Sequence, residues 1–211
     1  MLICLFLIIK LCEFFTQIYL LVDKIYIFAN MNDTRSEILR LGEEFIRTKG
    51  YNAFSYADIA EVIKIRKATI HYYFPTKADL GTEIIKNTIQ NFHNAVNNWK
   101  QYPYEIQLKH WILLYADSRK KNWVCITGAL SPVFDTLPTK MQVQLQILVN
   151  DIFNWLEEVL SNGKEAGVFH FNEPPQLKAH IIQSLLLASL LLDKVVAKDI
   201  YEEMKSHILG I

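Results

Sequence analysis

Between Ser55 and Pro75 there is room for two short helices and a three-residue turn, and for little else. Ser55 can cap a helix start with Asp58 as the acid at its third position, and Ile59, Ala60, Val62 and Ile63 give that helix an apolar face. Lys64-Ile65-Arg66 is too short for anything but a tight turn. Lys67 to Phe74 then reads as a second helix that Pro75 must end, because proline lacks an N–H and disfavours helical backbone in the residue before it. Two short helices about a short turn make a helix-turn-helix. Ile70 and Phe74, four apart, face inward with Ile59 and Ile65, while Lys67, Thr69, His71 and Tyr72 project from the other side.

Electrostatics bear on what those outward residues meet. The whole chain has 22 basic and 22 acidic residues and a formal charge of zero, so bulk charge does not predict a nucleic-acid partner. Locally the balance differs: Lys64, Arg66, Lys67 and Lys77 fall between Val62 and Lys77 with no acid among them. A cationic helix-turn-helix fits a DNA duplex. Side chains such as Thr69, His71 and Tyr72 can read base edges in the major groove, while flanking cations and hydroxyls hold phosphates and set register. Thr76 caps the next helix, whose first-turn amides and Lys77 are available to a phosphate. Upstream, Thr34 with Glu37 reads as a capping box, and Ile38, Leu41, Phe45 and Ile46 recur at helical spacing as far as Lys49, with Gly50 as the stop.

Residues 1–30 differ in composition from everything after Met31, being crowded with Leu, Ile and Phe but interrupted by Lys10, Glu13, Asp23 and Lys24. They lack the basic start and small-residue cleavage site of a secretory signal, and charges interrupt each window of about 20 residues that could cross a membrane. Three readings stand: translation begins at Met31, the leader is a membrane anchor or peripheral helix, or it packs as an extra helix. The three cysteines, Cys4, Cys12 and Cys125, have no metal-ligand or CxxC spacing and are expected to be free thiols in a reducing compartment.

The segment TRSEILRLGEEFIRTKGYNAFSYADIAEVIKIRKATIHYYFPTKADL, residues 34–80, closely resembles the DNA-binding domain of TetR-type transcriptional regulators, with ATIHYYFPTKADL similar to their recognition helix and its exit. The resemblance implies a cytoplasmic homodimer that binds palindromic operator DNA as a repressor and is released by a small-molecule inducer. Carried over by position, Lys67, Thr69, His71, Tyr72 and Tyr73 would face DNA, with Tyr56 and Lys77 on phosphates, while Ile59, Ile65, Ile70 and Phe74 would be core. Two positions depart from the family's habit, which often has Gly where Lys64 stands and a capping Ser or similar residue where Arg66 stands. A left-handed non-Gly residue costs roughly 1–2 kcal/mol, and a missing cap costs about 1 kcal/mol. Both changes add charge beside the DNA, so the expectation is that head stability has been exchanged for phosphate affinity, with Arg66 also a DNA contact.

After Thr76 the pattern is helical throughout. A long connecting helix to about Trp99 is followed by expected helices near 104–120, 124–135, 139–166, 174–195 and 199–209, with Gly167 closing one and Asn172 before Pro174 opening the next. The fold class is therefore all-α: an N-terminal three-helix helix-turn-helix domain over 31–80 and a C-terminal helical ligand-binding and dimerisation domain over 81–211. IIQSLLLASLLL, residues 181–192, is apolar nearly all round and needs cover on more than one side, which a two-fold interface with the last helix, around Ile200, Tyr201, Met204 and Ile208, would supply. Candidate pocket residues are Trp111, Tyr115, Cys125, Phe134, Phe153 and His180, since aromatics with a few polar tips line such cavities. Alternatives are a membrane-tethered version of the same regulator and a thiol-responsive one acting through Cys125. No phosphate loop, nucleophile elbow or paired metal-ligand spacing argues for an enzyme, and no cofactor or metal is expected.

Overall fold

A computed structural model of the chain describes residues 33–196 and 198–211. The leader over 1–30, with Cys4, Cys12 and the choice among its three readings, lies outside the described residues. Among those residues are nine α-helices, two short 3-10 turns and no strand, an all-α architecture.

The first helix, α1, covers residues 33–49. Because it already includes Asp33, Thr34 stands inside its first turn rather than at the cap, and Arg40 binds the Glu37 carboxylate at 2.7 Å. The chain divides after Arg40 into two compact units, the first described over 33–40 only; the rest of the fold belongs to the second, Leu41–Ile211. Gly50, at φ 93°, ends α1 with its N–H 3.1 Å from the carbonyls of Phe45 and Ile46. Such a left-handed end is what glycine supplies without steric cost.

Next come α2 (Tyr56–Ile63), α3 (Lys67–Tyr73) and the 23-residue α4 (Lys77–Trp99). Ser55 and Thr76 cap α2 and α4 as expected, and each cap is a full capping box, completed by Asp58 and by Asp79. At α4 the Thr76 N–H donates to Asp79 Oδ2 at 2.8 Å while Thr76 Oγ1 accepts from Asp79 N at 3.2 Å. Two close approaches seat α4 among its neighbours. A Cβ at Gly42 would lie 3.1 Å from both Leu80 and Ile84, and one at Gly81 would lie 2.5 Å from the end of Met141, so both positions admit no larger residue without movement.

The remaining helices are α5 (Tyr104–Lys120), α6 (Ile126–Leu130), α7 (Thr139–Glu165), α8 (Pro175–Leu192) and α9 (Ile200–Leu209). The single helix expected near 124–135 is instead α6 followed by a 3-10 turn over Ser131–Thr136, with Pro132 near its start and Val133 off helical geometry. Proline supplies no N–H to continue an α-helical ladder, which explains the break. Gly167 closes α7 as expected, at φ 71°, with Val168 and Phe169 donating back to Gly163 at 2.8 and 3.2 Å. The next helix opens at Pro175 behind Pro174, so Asn172 stands outside its cap.

The C-terminal core centres on an aromatic cluster that ties α4, α5 and α7 together. Trp111 lies 5.7 Å from Phe92 and 5.5 Å from Trp155, and Trp99 lies 5.6 Å from Trp155, ring centre to ring centre. Among the described residues α8 is long and apolar enough to cross a membrane by length and composition, yet Ile182, Leu186 and Leu190 are buried where it packs against α7 and α9. The last helix is held by the same subunit: Asp193 accepts from the N–H of Ile200 at 2.8 Å, and Arg119 bridges Asp193 and Asp199 at 2.8 and 2.9 Å. Tyr201 is wholly buried, its hydroxyl donating to the Ile112 carbonyl at 2.8 Å, and Ile208 is 1% exposed. These two residues therefore fill this subunit's own core and are not open to a second copy, contrary to their expected place in an interface, while Ile200 and Met204 are half-buried.

Asp79 joins the head to the C-terminal helices, since besides capping α4 it is paired with Lys140 of α7. Hydrogen bonds from Lys140 and then Thr76 pull its carboxyl down from 3.8 to about 2. A carboxylate with a lowered folded-state value contributes stability above its unfolded value and loses it as pH falls toward the folded one. Thermal unfolding should accordingly weaken between pH 4 and pH 2 more steeply in the wild type than in Asp79→Asn; parallel profiles would show that the pair contributes nothing.

Candidate functional site

The reading head is built from local rules. Ser55 N–H donates to Asp58 Oδ2 at 2.6 Å, and Ser55 Oγ accepts from Ala57 N at 3.2 Å, so α2 starts from a satisfied cap. Its end is less comfortable. Lys64 sits in the left-handed region at φ 56°, ψ 39°, and the Ile65 N–H donates to Ala60 O at 3.2 Å to close the turn. Arg66 precedes α3 without a side-chain cap bond. Both departures noted in the sequence thus occupy the strained and uncapped positions expected of them.

The inner face of the motif holds Ile59 and Ile70, both fully buried, and Phe74, 3% exposed, with Ile65 half-buried beside them. On the outer face Arg66, Lys67 and His71 are exposed, Thr69 and Tyr73 are half-exposed, and Tyr72 is 70% exposed, an unusual position for so large a ring. Tyr72 is propped edge-to-face against Tyr73 at 5.2 Å. His71 lies 4.9 Å from the Tyr56 ring, and its Nδ1–H donates to the Pro75 carbonyl at 3.1 Å, which leaves Nε2 as the acceptor of the neutral ring. Lys64, Arg66 and Lys67 are all exposed, so three of the four cations counted in the sequence form the outward charge.

Tyr56 and Lys77 are directed elsewhere. Tyr56 is buried with its hydroxyl donating to the Phe74 carbonyl at 2.9 Å, tying the start of α2 to the end of α3. The Lys77 ammonium donates to the carbonyls of Tyr51 and Phe54 and lies 4.1 Å from the Phe54 ring centre, and burial pulls its pKa down. Neither polar end is presented outward in the way a phosphate contact requires. Both hold the head in shape from within. Lys77→Met should cost about 2 kcal/mol of stability, because it leaves two carbonyls without their donor, while the affinity of the folded protein for DNA and its salt slope hold. A fall in affinity and slope with the melting temperature unchanged would put Lys77 on a phosphate instead.

A cavity of about 460 Å³ opens among the C-terminal helices. Of the six residues expected to line a pocket, Trp111, Tyr115 and Cys125 do so. Phe153 lines a smaller space of about 170 Å³ beside Gln183. His180 is exposed, edge-to-face with Phe153 at 4.5 Å, and the half-buried Phe134 lines neither space. The Cys125 thiol is half-buried and caps α6, its sulfur accepting from Gly128 N at 3.4 Å. Sequence reasoning missed Glu43 and Arg47, which reach the cavity from the C-terminal end of α1 and pair at 2.7 Å. An acid and a base four residues apart on a helix ordinarily signal a solvated face, so nothing in their spacing could have found them.

These features have counterparts among known proteins. The family model for bacterial regulatory proteins of the tetR family matches residues 38–84, a stretch that contains α2, α3 and their turn. Residues 38–84 are thus a TetR-type DNA-binding region. HTH-type transcriptional regulator LuxR of Vibrio harveyi is 28% identical over 64 residues, 30% of this chain and 31% of that protein, so the match spans about a third of its length. An uncharacterized HTH-type transcriptional regulator of the lacX 3′ region of Lactococcus lactis subsp. lactis is 27% identical over 174 residues, 79% of this chain and 86% of that one. The solved TetR transcriptional regulator of Legionella pneumophila superposes with a TM-score of 0.74 at 28% identity, covering 82% of this chain and 94% of the other. These relatives are transcriptional regulators.

Proposed function

We propose that this protein is a cytoplasmic homodimeric TetR-family repressor that binds a two-fold-symmetric operator and is released when a small molecule enters the 460 Å³ cavity. The observation that carries this reading is the outer face of α3, where Lys67, Thr69, His71 and Tyr72 stand clear of a head capped at both neighbouring helices. Thr69, His71, Tyr72 and Tyr73 read base edges, while Arg66 and Lys67 hold phosphates. Tyr56 acts indirectly by fixing the start of α2 against the end of α3, and Lys77 by holding the 51–54 segment against the start of α4.

Two subunits associate through the open face of α8. There Leu177, Ile181, Ser184, Ala188 and Leu191 recur at alternating four- and three-residue steps with Leu185 beside them, and all are partly or largely exposed. An apolar stripe at that spacing suits an isologous helix pairing. The functional boundary falls within α4 near residue 80, so that the reading head, 31–80, and the sensing part, 81–211, share one continuous helix. A ligand against Phe92 on α4 and Arg47 on α1 touches two helices that lead to the head.

Selection of genomic fragments by the full-length protein, followed by footprinting across a salt series, tests the reading. The expected result is one enriched palindromic sequence whose half-sites lie about one helical turn apart, bound with a steep salt dependence. Binding without any enriched sequence would sink it.

A further inference from the structure

Buried donors in folded proteins are almost always paired, so the exceptions point to something that completes them. Among the described residues only three buried side-chain atoms lack a partner, and two of them are donors: Arg47 Nε and Trp111 Nε1. Both residues line the same cavity, one from α1 and one from α5. Several polar groups nearby are engaged. Arg47 is held through its Nη2 by Glu43 at 2.7 Å, its carbonyl accepts from Val124 N at 3.1 Å, and its guanidinium stands 5.4 Å from the Trp123 ring centre. The Tyr115 hydroxyl accepts from Gln183 Nε2 at 2.7 Å. The charged lining residues, Glu43, Arg47, Asp117 and Lys121, cancel in sign, and Phe92, Trp111, Tyr115 and Trp123 supply aromatic surface.

From this arrangement we infer that the cavity takes an aromatic molecule carrying a carbonyl or carboxylate oxygen, which accepts from Trp111 Nε1 and Arg47 Nε. The inference rests on the reading that this cavity is the sensing site, and it names that ligand's chemistry. It also assigns the ligand a direct hold on α1. An oxygen bound at Arg47 Nε is attached to the first helix of the reading head, so the signal reaches the head through α1 as well as along α4.

Three probes of matched size separate the possibilities in calorimetric titrations of the full-length protein: 2-naphthoate and 2-acetylnaphthalene, which carry the acceptor as acid and ketone, and 2-ethylnaphthalene, which has none. The expected result is that at least one acceptor probe binds ten-fold or more tighter than 2-ethylnaphthalene, and which of the two does so identifies the ionic state preferred. Trp111→Phe, which keeps an aromatic ring but loses the donor, and Arg47→Met should each reduce that preference by several-fold, whatever either does to the affinity for 2-ethylnaphthalene itself. Amide exchange in residues 41–49 should slow with the preferred acceptor probe and not with 2-ethylnaphthalene. Equal binding of all three probes would overturn the inference and leave the sensing cavity standing. A preference untouched by either variant would also overturn it, and failure of every probe to bind would remove the sensing reading together with the inference.

Discussion

Replacing Lys67 and Tyr72 together with alanine should lower operator affinity by at least about 100-fold, since each base or phosphate contact contributes roughly 1–3 kcal/mol and a dimer loses every contact twice. Both side chains are exposed, and Tyr72 is 70% so, which means that the loss should come with no drop in melting temperature. The salt slope should become shallower by about one for each phosphate contact removed, or about two per dimer if Lys67 holds a phosphate in both subunits. An unchanged footprint at the same protein concentration would mean that α3 does not read DNA. The same assay decides what the uncapped start of α3 is for. Arg66→Ser should add a cap and about 1 kcal/mol of stability while weakening DNA binding and flattening its salt dependence. If affinity and slope stayed where they were, the exchange of head stability for phosphate affinity would be wrong.

The second large effect is expected at Tyr201, whose ring is wholly buried and whose hydroxyl donates to the Ile112 carbonyl. Truncating a buried aromatic to alanine costs roughly 3–5 kcal/mol, which for a chain of this size lowers the melting temperature by about 10 °C. Because the side chain belongs to its own subunit's core, Tyr201→Ala should lower that temperature by a similar amount at every protein concentration and leave the dimer dissociation constant, measured by sedimentation, where it was. Weakened association with an unchanged melting temperature would return Tyr201 to the interface that its apolar helix suggested from sequence.

The head was legible because its signals are short-range. Ser55 with Asp58, the cap at Thr76, the three-residue turn and the stop at Pro75 each involve residues no more than four apart, and all four appear where they were expected. The helix ends in the C-terminal region were legible for the same reason, Gly167 above all. The failures are equally specific. Pro132 breaks the helix that apolar periodicity would have carried through to 135, since periodicity counts side chains and not backbone donors.

What the sequence determined by itself is therefore the order of the helices, the caps at Ser55 and Thr76 and the outward face of α3, all of which follow from interactions within one or two turns of chain. What only the tertiary structure decided is where the amphipathic side chains put their polar ends. Tyr56 and Lys77 reach backbone carbonyls up to 26 residues away. Tyr201 donates to a carbonyl 89 residues away, and Arg47 meets a cavity that Trp111 also lines. Side chains with an apolar stem and a polar tip can serve a surface, a core or a ligand with the same local pattern. The choice among these depends on partners brought together by packing, which no window of sequence contains.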